Sequence, residues 1–175
     1  MTFFLARRGR VLLFALVALG SIATASTTQD LGVIERVVDG DTVIVTGLGS
    51  VRLIGVDTPE TVHPTKAVEA FGHQSSAFLR RLVLNQNVRL EYDGERKDRY
   101  GRTLAYVYLT DGTFVNAEIV RQGYGHAYTQ FPFKYLEEFR QFEREAREEK
   151  RGLWRDPLEN RKKALCALTS TRKLS

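Results

Sequence analysis

Residues 33–56 read VIERVVDGDTVIVTGLGSVRLIGV, three runs rich in β-branched side chains, cut by Asp-Gly and by Gly-Leu-Gly. Each run (33–38, 41–46, 50–56) has the length and composition of a strand, and the glycine-bearing cuts are hairpin punctuation. Three strands in such quick succession predict an antiparallel meander. Downstream, residues 61–70 read as a loop, with His63-Pro64 marking a turn. The period then changes. Phe71, Ser75, Phe78 and Leu82, with Leu79 and Val83 beside them, follow helical spacing and predict an amphipathic helix over 71–85. Strand patterns return at 87–92 and 102–109, joined by the charged loop DGERKDRYG (93–101). A short helix is expected at 115–122, stopped by Gly123. A last helix over about 134–150 carries the stripe Leu136, Phe139, Phe142 and Ala146, with Trp154 packed just beyond it. Five strands with a helix between the third and fourth give the order of an OB-type barrel. The expected fold class is therefore α+β: a five-stranded OB-type β-barrel with three helices.

The N-terminus reads differently. Arg7, Arg8 and Arg10 precede the unbroken apolar run VLLFALVALG (11–20) and an Ala-Thr-Ala site at 23–25. That is the pattern of a secretory signal peptide over residues 1–25. The protein is expected to be exported, either secreted or periplasmic. The alternative is an anchor kept in the membrane by residues 11–25, against which stands a run shorter than the ~20 residues a spanning helix needs. Cleavage after Ala25 leaves 150 of the 175 residues, enough for one domain with a real core. A short leader is expected at 26–32, the folded domain at 33–155 and a flexible basic tail at 156–175. The formal charge of +5 falls to +2 without the three signal arginines, so bulk charge says little about nucleic acid. The single cysteine, Cys166, closes no intrachain disulfide, and an inert tail thiol is the expectation.

Chemistry is carried by three stretches. VDTPE (56–60) sets Asp57 and Glu60 at the mouth of a strand that also carries Arg52. The plain reading is a helix start, with Asp57 or Thr58 as N-cap and Pro59 at the first helical position. VVDGDTV (37–43) carries Asp39 and Asp41 about a turn, and Asp-Gly there is ordinary hairpin chemistry. Pairing through Gly-Leu-Gly, however, lays the start of the second strand beside the end of the third, bringing Asp41 near Asp57. Two adjacent carboxylates repel unless a cation sits between them. Oxygen donors without clustered Cys or His favour a hard ion, Ca²⁺ or Mg²⁺, over zinc or copper. Asp39 is expected to hold the turn or support the ion's surroundings rather than bind it. In DRYGRTLAYVY (98–108), Tyr100 and Arg102 flank Gly101. The guanidiniums of Arg52 and Arg102 offer forked donors matched to phosphate oxygens. His63, His73 and His126 show no metal-binding spacing.

DGDT, RLIGVDTPE, DRYGRTLAY, VNAEIVRQG and KRGLW stand in order from Val33 to Trp154. Together they resemble the thermonuclease, or staphylococcal nuclease-like, family. The resemblance implies a Ca²⁺ ion held by Asp41, Asp57 and the carbonyl of Thr58. It implies Glu60 near the attacking water as general base, and Arg52 and Arg102 on the scissile phosphate. Tyr100, beside Arg99, would bind a neighbouring phosphate. Lys66 would lie near the substrate, Leu104 would line the base pocket, and Tyr128 would be an aromatic of the nucleotide site. Gln130 stands where the family pattern has a second tyrosine. The implied activity is that of a Ca²⁺-dependent, sugar-non-specific endonuclease, a metal-dependent phosphodiesterase. It would cut DNA and RNA, preferring single strands, at the 5′-oxygen and leave 3′-phosphates. The implied protein is a monomer with no stable protein partner. The alternative is a non-catalytic OB-fold module that holds nucleic acid or protein. All five of Asp41, Arg52, Asp57, Glu60 and Arg102 are present, which favours the enzyme.

Overall fold

Alternating apolar side chains close the barrel. The computed structural model describes residues 30–61 and 71–155, so the signal segment, Lys66 and the C-terminal tail lie outside the described residues. Strands β1 (Asp30–Asp39), β2 (Thr42–Val45) and β3 (Gly49–Leu53) form the expected meander. Two further strands, β5 (Asn87–Glu91) and β6 (Thr103–Leu109), complete a closed barrel in the order β1-β2-β3-β6-β5. Every pairing is antiparallel except β3 with β6. Register shifts in β1, between Ile34 and Arg36 and between Val37 and Asp39, add the local twist a small barrel needs to close. Val43, Val45, Val51, Leu53, Val88, Leu90 and Val107 fill the interior. Each contributes roughly 1.5–3 kcal/mol by leaving water.

Helix α1 (Gly72–Val83) buries Ser75, Leu79 and Val83. Helix α2 (Val115–Arg121) packs against α3 (Leu136–Glu148), whose stripe buries Phe139 and Ala146 and half-buries Leu136 and Phe142. A 3-10 turn at Gly152–Trp154 follows, with the Trp154 ring edge-on to His126. The fold class is the expected one: a five-stranded OB-type barrel with three helices.

The structure departs from the sequence reading in ways that shape the site. The first strand starts at Asp30, inside the expected leader, because Asp30–Val33 pair with β5. The third run is not one strand over 50–56. It breaks after Leu53, and its end, β4 (Val56–Asp57), leaves the barrel to pair with β7 (His126–Ala127). Gly55 makes the break: its φ is +76°, and a Cβ there would lie 2.7 Å from the Phe133 ring. No helix starts at Asp57-Thr58-Pro59. Residues 58–60 have no regular structure, and α1 begins only at Gly72. Asn116, fully buried, locks the bend. Its Oδ1 accepts from Val107 N–H at 2.9 Å, and its Nδ2 donates to the carbonyls of Ile54 (2.9 Å) and Ala105 (3.1 Å).

Candidate active site

Strand register brings the acids together. Thr42 lies opposite Arg52 in the β2–β3 pair, and Leu53 N–H donates to Asp41 O at 2.9 Å. Asp41 therefore sits at the end of β3, and the Gly55 bend turns Asp57 back toward it. The Arg52 guanidinium lies between the two carboxylates. Its Nη1 contacts Asp41 Oδ1, and its Nη2 lies 3.3 Å from Asp57 Oδ1 and 3.1 Å from the Val56 carbonyl. Asp41 is 4% exposed and fully engaged: Thr42 Oγ1 donates to Oδ1 at 2.9 Å, while Thr58 donates to Oδ2 from Oγ1 (3.0 Å) and from N–H (3.1 Å). Asp57 is half open to solvent, its side chain 52% exposed. Burial works against the charge on Arg52, but Asp41 first and Asp57 second outweigh it and hold the guanidinium above its ordinary pKa. Arg52 is thus a fixed cation.

Asp39 anchors the neighbouring loop. Its Oδ1 accepts from Gly40 N–H (2.8 Å), Thr61 Oγ1 (2.7 Å) and Ser76 Oγ (3.1 Å). Burial would raise its pKa, but these bonds, led by one with the Glu60 side chain, keep it below the ordinary 3.8. The same contacts tie residues 60–61 to α1 and set Glu60 in the wall of the cleft. Gly40 lets α1 approach this closely, since a Cβ there would fall 2.7 Å from Thr58 Oγ1 and 2.9 Å from Ser75 Cβ.

The opposite wall comes from the loop before β6. Asp98 accepts from Arg102 Nε at 2.7 Å, and from the N–H groups of Arg102 and Tyr100 at 2.9 Å each. Burial opposes the Asp98 charge, yet the bond to the Arg102 side chain prevails and lowers its pKa. Tyr100, 68% exposed, lies with its ring 5.3 Å from the Arg102 guanidinium.

These residues enclose one cleft of about 490 Å³, walled by Asp39, Asp41, Arg52, Asp57, Thr58, Glu60, Tyr100 and Arg102, with Val38, Thr42 and Ser50 between them. Arg99, Leu104 and Tyr128 are not in its wall. Arg99 belongs to the same loop and donates to Tyr100 Oη at 2.6 Å. Leu104 lies opposite Arg52 in the β3–β6 register. Tyr128 follows β7, its N–H bonded to Gly55 O at 2.9 Å and its hydroxyl to Gln130 at 3.1 Å. Asp98, Thr61 and Ser76 are supporting residues that the sequence reading did not single out. For Asp98 a signal existed: Asp two residues before Tyr100 in a glycine-containing turn is the pattern of a side chain closing its own backbone turn.

The donor chemistry can be tested against a metal. Among the described residues no group of three His, Cys, Asp or Glu side chains is placed to hold an ion. What the cleft offers is two carboxylates that share one cation, with Thr58 in the wall beside them. An oxygen-only set of this kind fits a hard divalent ion completed by water, not a soft one.

The cleft thus sets carboxylates against two guanidiniums on an OB-type barrel. Residues 50–156 match the profile of the family described as staphylococcal nuclease homologue. A thermonuclease of Staphylococcus hyicus is 46% identical over 123 residues, covering 68% of this chain and 72% of that protein. A thermonuclease of Staphylococcus intermedius is 46% identical over 125 residues, covering 69% and 74%. Endonuclease YncB of Bacillus subtilis is 40% identical over 127 residues, covering 69% and 60%. The chain belongs to the staphylococcal nuclease homologue family.

Proposed function

We propose that this protein is a metal-dependent nuclease that hydrolyses phosphodiester bonds of DNA and RNA without regard to the sugar. The observation that carries the reading is the meeting of Asp41, Arg52, Asp57, Glu60 and Arg102 in one cleft. Relatives named thermonuclease and endonuclease support it.

Asp41, Asp57 and the Thr58 carbonyl would hold Ca²⁺. When bound, the ion supplies positive charge to the two acids and acidifies water in its shell. Arg52, which lies between those acids, would present its fork to the non-bridging oxygens of the scissile phosphate. Arg102, steadied by Asp98, reaches the same phosphate from the other wall and stabilises the departing 5′-oxygen. Such fixed cations are the main source of acceleration where charge gathers on phosphoryl oxygens. Glu60, once it has given up the proton it shares with Asp39, orients the attacking water and accepts its proton. The water oxygen bonds to phosphorus as Glu60 takes its proton, and the P–O5′ bond breaks. The 5′-oxygen takes up a proton from bulk water, and Glu60 returns its proton to solvent. A 3′-phosphate and a 5′-hydroxyl result.

Tyr100 and Arg99 then serve the adjacent phosphate, with Tyr128 and Leu104 toward the base; Lys66, which lies outside the described residues, would be near the substrate. Contacts to phosphate and to ring faces carry little sequence information, which suits a non-specific enzyme favouring unstacked single strands. We further propose that it is exported, for which the basic and apolar residues 7–20 speak, and that it works as a monomer. The test is a digest of single-stranded DNA and RNA by the domain in Ca²⁺, in Mg²⁺ or in chelator, with product ends identified. Cleavage of both polymers in Ca²⁺ to 3′-phosphates is expected. Retention of the polymers without cutting would assign the barrel to a binding module instead.

A further inference from the structure

A second cavity lies behind α1, and no role has yet been assigned to it. It measures about 300 Å³ and is lined by Phe71, Gln74 and Arg81 from one side and by Tyr124 and Arg155 from the other. Arg81 is in the last turn of α1, and Arg155 follows the 3-10 turn, so two distant parts of the chain bring arginines to the lining of one cavity. Among the described residues neither side chain has an acidic partner. Elsewhere Arg102, Arg121, Arg140, Arg147 and Arg151 each rest on a carboxylate. A basic residue at a helix C-terminus is ordinary, since it offsets the helix dipole, and this accounts for Arg81. It does not account for Arg155 at the same cavity. An anion seated in the cavity could take hydrogen bonds from both guanidiniums. The Gln74 amide adds donors, and the Tyr124 ring, stacked on Phe78 at 4.1 Å and leaning on Phe71 at 5.5 Å, adds an aromatic wall.

Its location fits the cleft described above. Ser75 Oγ donates to Tyr124 O at 2.6 Å, and Ser76 Oγ reaches Asp39 at 3.1 Å. Gly125, the next residue after Tyr124, abuts Asp57 and Thr58. One turn of α1 thus bonds to the cleft-wall residue Asp39 through Ser76 and lines the second cavity with Gln74 and Ala77. Resting on the nuclease reading, we propose that this cavity holds a phosphate of the same nucleic-acid strand, away from the scissile bond. Arg81 and Arg155 clamp the phosphate, and the Phe71–Tyr124 wall packs against its nucleoside.

The experiment compares the parent protein with R81Q, R155Q and the double variant, none of which alters the cleft wall. Substrates are a dinucleotide, too short to reach the cavity, and a 20-nucleotide single strand. Affinity for the labelled strand is also read by fluorescence anisotropy in chelator. The double variant is expected to raise KM for the long strand roughly five- to tenfold with kcat unchanged, and to leave dinucleotide kinetics as they were. The slope of log affinity against log salt should become shallower by about 0.7 for the one lost phosphate contact. Unchanged KM, affinity and salt slope on the long strand would overturn the proposal. So would a free nucleoside monophosphate that binds the parent but not the double variant while long-strand affinity stays put, since the cavity would then serve free nucleotides. If the parent cuts neither substrate, the nuclease reading fails, and the anisotropy comparison alone decides the cavity.

Discussion

Asp98→Ala isolates how Arg102 is held. The carboxylate makes three bonds, one to Arg102 Nε at 2.7 Å and two to backbone N–H groups at 2.9 Å. The turn itself keeps two backbone bonds that do not involve this side chain: Asp98 N–H to Arg102 O (3.0 Å) and Gly101 N–H to Asp98 O (2.9 Å). The backbone should therefore stay near its place while the guanidinium loses its anchor. A charge-assisted bond of this kind contributes about 1.5–3 kcal/mol when shielded. Arg102 is 30% exposed, so solvent screening reduces that to roughly 1–2 kcal/mol. Converted to transition-state stabilisation, the loss is a five- to thirtyfold fall in kcat/KM on single-stranded DNA. Asp98→Asn, which keeps an acceptor but not the charge, should fall between parent and alanine. Steady-state kinetics with a melting curve for each variant gives the answer. Unaltered kcat/KM in the alanine variant would refute the positioning argument. A loss matched in full by a fall in melting temperature, with normal activity in the folded fraction, would refute it as well.

Other outcomes follow from the same structure. Glu60→Gln should lower kcat by about 10²–10⁴ while KM changes only severalfold, because it acts on water rather than on the ligand; stopped assays over a substrate series separate the two, and equal effects on both would indicate a structural role. Phe139→Ala empties a fully buried site among Phe114, Phe133 and Phe142, at a cost of about 3–5 kcal/mol by urea denaturation. The Tyr92 hydroxyl donates to Asp30, and burial, followed by that bond, lifts its pKa from 10.0 to about 12. A raised folded-state pKa stabilises the fold fully below pH 10, and that stabilisation is lost as pH rises through 12. Alkaline unfolding should therefore be milder in Tyr92→Phe relative to its own neutral stability, and identical pH profiles would count against the Tyr92–Asp30 contact.

The barrel was legible because its strands are long enough to show a period and because Asp-Gly and Gly-Leu-Gly mark the hairpins. The same hairpin register sets Asp41 at the end of the third strand, with Thr42 opposite Arg52. It is the bend at Gly55, outside that register, that turns Asp57 back toward Asp41. The break at Gly55 was not legible. Val56 and Asp57 continue the apolar run in sequence, and a two-residue strand such as β4 or β7 has no periodicity to detect. The position of Arg52 between the acids also escaped the sequence, since a guanidinium in a strand can aim at a ligand or at its neighbours with equal ease. Arg81 and Arg155 carry no motif; only folding brings residues so far apart in the chain to one cavity.

The account stands on Asp41 and Asp57 acting as a shared seat for a hard cation. Calorimetric titration of Ca²⁺ into the parent domain and into Asp57→Asn tests this without any substrate. Asp57 suits the test because its side chain is half exposed and its loss leaves the buried Asp41–Arg52 pair in place. A single saturable site in the parent that vanishes in the variant is the predicted result. Equal Ca²⁺ binding by both proteins, or none by the parent, would contradict it.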